Sequence, residues 1–129
     1  MYPSKHFIYS LIFCIILFPF LKYWTIVIFL SGTLIDVDHY LYYILKFKDW
    51  SFRKAYHYHV KVIPIEKLHI FHTIEFYLLC FSLVFFNLFF VFIFLGISFH
   101  MVLDILDMKI LNPTKNCRAA SLYRWVNRH

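Results

Sequence analysis

Apolar residues fill four stretches of the chain, 7–21, 24–45, 69–86 and 88–106, with polar and charged residues gathered between and after them. Stretches of this kind predict helices that cross a hydrocarbon core of about 30 Å. The pattern is that of an all-α membrane protein: four short transmembrane helices paired as two hairpins. Pro19 and Lys22 mark the first turn, and Asn87 alone marks the second. Without that second turn, one helix from His69 to Asp104 would hold Glu75 and His100 roughly 38 Å apart at about 1.5 Å per residue. With it, the two share one membrane face, and a single cluster satisfies ionisable groups that would otherwise each need a separate partner.

Composition agrees with this reading. The 129 residues are 62% hydrophobic and 23% aromatic, and two glycines leave little room for elaborate loops, so 1–129 is expected to be one membrane-embedded domain. The run 7–21 resembles a signal peptide, but no small-residue cleavage pattern follows it, and it is read as a retained first helix. Cys14 and Cys80 fall in apolar stretches and Cys117 in the tail, with no disulfide or thiolate-metal spacing. Between the helices, 47–67 mixes aromatic residues with cations and predicts an interfacial segment on membrane lipids. The basic tail 112–129 predicts a short surface helix starting near Thr114. Of the 13 Lys and Arg residues, all but Lys22 fall on the side of the termini and the central connection. The positive-inside rule makes that side cytoplasmic, in a multi-pass protein of the cell membrane. Lipid headgroups account for the net charge of +6, and with no recognition motif beside it nucleic-acid binding is not expected.

Costly residues interrupt the apolar pattern in three groups: Asp36-Val37-Asp38-His39, His69-x-x-His72-x-x-Glu75 and His100-x-x-x-Asp104. Helical spacing puts Asp36 with His39, His72 with Glu75, and His100 with Asp104. The candidate metal ligands are Asp36, Asp38, His39, His69, His72, Glu75, His100 and Asp104. Nitrogen and oxygen donors without thiolate suit a divalent ion, zinc first, with manganese or iron as alternatives. One or two ions fit, two being bridged by a carboxylate such as Asp38. Glu75 and His72 are the candidate catalytic residues, Glu75 as ligand or general base and His72 beside the developing charge.

Plainer roles compete at each position. Asp36 and His39 can face headgroups, His100 and Asp104 can lock helices together, and His69 can stand behind a ligand. His6 lies at the right end of the first helix but beside Lys5; His57 and His59 are expected at the interface, and Asp107 in solvent.

The three groups resemble those of bacterial and archaeal membrane-bound metal-dependent hydrolases of the YdjM type, over about residues 6–113. That family shows Pro-Asp-x-Asp-His, then a Thr-His-Ser-like group, then His-x-x-x-Asp. Here Asp36-Val37-Asp38-His39, His72-Thr73 and His100-Met101-Val102-Leu103-Asp104 stand in that order, with Ile35 in place of the proline and His69-Ile70-Phe71 in place of an Arg-Gly pair. The resemblance implies a hydrolase. An amphiphilic substrate, such as a lipid-like phosphoester, would reach a site at the membrane rim and be drawn by its cations. A metal-ion transporter or a non-catalytic adaptor are the alternatives, and a homo-oligomer is a further expectation if four short helices need a partner to close the site.

Overall fold

The computed structural model describes residues 3–60, 68–111 and 120–127. Its elements are α1 (Pro3–Leu21), α2 (Trp24–Leu34), α3 (Val37–Phe47), α4 (Phe52–Val60), a 3-10 turn at Ile70–His72, α5 (Ile74–Leu83), α6 (Leu88–Leu106), a wider π turn at Asp107–Leu111, and α7 (Leu122–Val126). Among the described residues there is no strand, so the all-α expectation holds.

Both turns between paired helices have a local cause. Lys22 closes α1 in the left-handed region (φ 48), and its N–H reaches Phe18 O at 2.9 Å, a C-cap geometry in which a glycine is more usual. Asn87 is extended, and its Oδ1 accepts from the Phe89 N–H at 2.9 Å, capping α6. These turns lie at one end of the bundle. His6, Asp36, His72 and His100 lie toward the other.

Two predicted helices are corrected. The stretch 24–45 is broken at Ile35–Asp36, where the Asp36 N–H reaches back only to Thr33 O and the His39 N–H only to Asp36 O. Thr33 Oγ1 contributes to the break by bonding the carbonyls of Phe29 and Leu30, at 2.8 and 3.2 Å. The stretch 69–86 becomes helical only at Ile74. Thr73 is extended (φ −86, ψ 155), donates to Ile70 O and accepts from the Phe76 N–H, so it caps α5 and leaves His69 and His72 in the turn before it.

Length also revises the four-span expectation. Among the described residues, α6 is the one helix long and apolar enough to cross a membrane; the apolar part of α1, Lys5–Leu21, is shorter, as is α5. With 10 residues, α5 covers about 15 Å at 1.5 Å per residue, half a hydrocarbon core. In the connection, α4 packs on α3, with Tyr40 OH donating to Trp50 O at 2.7 Å. Residues 61–67 and Thr114, the expected start of the tail helix, lie outside the described residues; α7 begins at Leu122.

The chain's two glycines face each other where α2 crosses α6. A Cβ on Gly32 would stand 3.0 Å from Gly96 O, and one on Gly96 would collide with Ile28 O and Ser31 Oγ. Small residues at such a crossing let two backbones touch. Around it, burial is inverted relative to a water-soluble protein. His6, Asp38, His69, His72, His100 and Asp104 are buried, while Ile15, Ile16, Phe20, Phe85 and Phe86 are each more than 60% exposed.

Candidate metal centre

His100 is carried one turn beyond Gly96 on α6. The close crossing brings Gly32 O to 2.7 Å from His100 Nδ1. A carbonyl only accepts, so Nδ1 carries the proton and Nε2 presents a lone pair. His72 ends the 3-10 turn, and its Nδ1 lies 3.0 Å from Asp38 Oδ2, another acceptor, so its Nε2 also presents a lone pair. The two Nε2 atoms are 3.2 Å apart in a fully buried setting. Neutral rings would set two lone pairs against each other there. A cation, whether a proton or a metal ion, resolves the conflict.

Carboxylates complete the arrangement. Asp36 Oδ1 lies 3.5 Å from both Nε2 atoms, and Asp104 Oδ2 lies 3.6 and 3.7 Å from them. These are two nearly equilateral triangles of donors sharing the His72–His100 edge. A tetrahedral ion with bonds of 2.0–2.1 Å separates its ligands by about 3.3–3.4 Å. The donor set and its dimensions could therefore hold a metal ion, and both imidazoles have the hydrogen-bonded rear nitrogen usual in ligating histidines.

His6 joins from α1. Its Nε2 is 3.0 Å from Asp104 Oδ1 and its ring stacks on that of His100 at 4.2 Å, so it orients the carboxylate and covers one side. The opposite side is more open: the Asp36 and His39 side chains are 19% and 27% exposed. Asp38 ties this side together. Its Oδ1 accepts from His39 Nδ1 at 2.7 Å, and its Oδ2 accepts from His72 Nδ1 and the Phe71 N–H, each at 3.0 Å. His69 is buried, its ring stacked on His39 at 4.0 Å.

Seven of the eight candidate ligands are thus brought into one neighbourhood; Glu75 is not. Its carboxylate accepts from Ser121 Oγ at 2.6 Å and from the N–H groups of Leu122 and Tyr123 at 3.0 and 3.2 Å, anchoring the start of α7. The expected Glu75–His72 pairing fails because Thr73 caps α5 between them, leaving His72 outside the helix whose spacing was assumed. One further expectation changes, since Asp107 is buried; half-buried His59 contacts His39 O through Nε2 at 2.8 Å. Glu75→Gln is expected to speed hydrogen exchange at Leu122 and Tyr123 about fivefold, a loss of about 1 kcal/mol, with metal content unchanged. A change in metal content would return Glu75 to the centre.

No family model, curated protein or solved structure matches the chain.

Proposed function

We propose that this protein is a membrane-bound metal-dependent hydrolase that cleaves a phosphoester of an amphiphilic, lipid-like substrate. The observation that carries the reading is the pair of buried Nε2 atoms 3.2 Å apart, flanked by Asp36 and Asp104. When bound, a divalent ion there makes water a better nucleophile near neutral pH and polarises a phosphoryl oxygen. Asp36 and His39 border the open side, where a substrate enters. His6, Asp38 and Gly32 O hold the donors in place, so little reorganisation is needed when substrate arrives.

Membrane residence is supported by the exposed apolar side chains of α1, α2, α5 and α6, which would be costly in water over so large a surface. The protein is read as multi-pass. Lys5 adjoins the cluster end and Lys22 the opposite turn, and the excess of Lys and Arg in the sequence of the connection and tail supports a cytoplasmic side for the cluster. The likeness of the Asp36–His39, His72–Thr73 and His100–Asp104 groups to YdjM-type hydrolases supports the same reaction class.

Detergent-purified protein is expected to contain zinc or manganese by elemental analysis. It should hydrolyse a phosphatidic acid or prenyl phosphate, lose that activity on chelation and regain it on adding the ion. Protein that purifies without metal, and whose thermal stability ignores added zinc, would overturn the proposal.

A further inference from the structure

His69 is 4% exposed, and among the described residues its Nδ1 has no hydrogen-bond partner. A buried ring nitrogen in that state carries its full desolvation cost with nothing to offset it. The nearest charged acceptor is Asp38 Oδ1, at 3.8 Å, too far for a hydrogen bond. The same Oδ1 is 2.7 Å from His39 Nδ1, and His39 and His69 stack. Asp38 Oδ1 thus lies between the unpartnered atom and His39 Nδ1, and Asp38, His39 and His69 each offer one ligand atom within 4.8 Å of the others. These donors are distinct from the Nε2 atoms of His72 and His100.

We propose that Asp38 Oδ1, His39 Nδ1 and His69 Nδ1 form a second cation site, taking a divalent ion of the zinc class. Ligands on such an ion stand about 3.3–3.4 Å apart. The 2.7 Å edge therefore opens by roughly 0.6 Å and the 3.8 Å edge closes by roughly 0.4 Å, a small rotation of one carboxylate. The ion displaces the proton shared by His39 and Asp38, which leaves to solvent. His39, 27% exposed, supplies the open side where water completes the coordination. Because Asp38 Oδ2 stays on His72 Nδ1, one carboxylate links the second ion to a ligand of the first. The inference rests on the reading of the neighbourhood as metal-binding, but the ion it adds has its own ligands and its own test.

Full-length protein in detergent, saturated with zinc and freed of excess, is expected to carry two ions per chain. His69→Ala and His100→Ala should each carry one, and the double variant none. His69→Gln keeps a polar side chain and should also carry one, covering the case in which alanine fails to fold. Titration of the metal-free wild type with cobalt should give two successive visible-absorption endpoints, the second missing in either His69 variant. One ion per chain in wild type, unchanged in the His69 variants, would overturn the second site and leave the first. No bound ion at all would overturn both.

Discussion

His100→Ala is expected to abolish hydrolysis, lowering the rate by about 10³ or more, equivalent to about 4 kcal/mol of lost transition-state stabilisation. The change removes one of the two buried Nε2 donors and leaves Gly32 O without its 2.7 Å hydrogen bond. An unfilled buried carbonyl costs about 1–3 kcal/mol, so stability should fall as well. The two effects separate on measurement. Elemental analysis should show the ion between His72 and His100 gone, while the helical circular-dichroism signal at 20 °C persists. His100→Ala with wild-type activity and metal content would remove that pair from any account of the chemistry.

Gly96→Ala should be the more damaging of the two glycine-to-alanine changes at the helix crossing. The added methyl meets Ile28 O, a backbone atom that no rotamer change can move, so α2 and α6 must separate. Overpacking of this kind costs about 1–3 kcal/mol, and an unyielding contact puts the loss toward the upper end. Gly32→Ala, whose methyl would stand 3.0 Å from Gly96 O, needs a shift of only a few tenths of an ångström and should cost less. Thermal unfolding followed by size-exclusion in detergent should rank wild type above Gly32→Ala above Gly96→Ala. Because separation also draws Gly32 O away from His100 Nδ1, Gly96→Ala should bind zinc more weakly as well. Equal Tm values for the two variants would contradict the asymmetry of the crossing.

Much of the neighbourhood was legible in residue spacing. His100 and Asp104 are four apart on an uninterrupted helix, so periodicity alone faces them the same way, and their side chains do meet near one point. Asn87 stands at the turn its isolation among apolar residues suggested, and there it caps α6. The missing parts depend on contacts between residues far apart in sequence. His6 read as a rim residue because Lys5 precedes it, and its partner, Asp104, is on another helix. Glu75 read as a ligand because it follows His72 by three, yet the groups that bind it are 46 to 48 residues further along. Thr73 could have exposed that error, since a threonine ahead of an apolar run is a helix-start signal and removes His72 from the helical register. The break at Ile35–Asp36 left only a fainter sign, Thr33, whose hydroxyl bonds backbone carbonyls; both residues keep right-handed helical dihedrals, and no proline or glycine adjoins them.

The two tight turns fasten the helices at one end, while at the other the converging donors come from α1, the α2–α3 break, the turn before α5, and α6. An ion seated there is a clasp closing a hinged frame. At a free zinc concentration 100 times its dissociation constant, it would add about 2.7 kcal/mol to the folded state. Chelation should then loosen the molecule unevenly along its axis, with amides around Asp36 and His72 exchanging early and those beside Lys22 and Asn87 holding on.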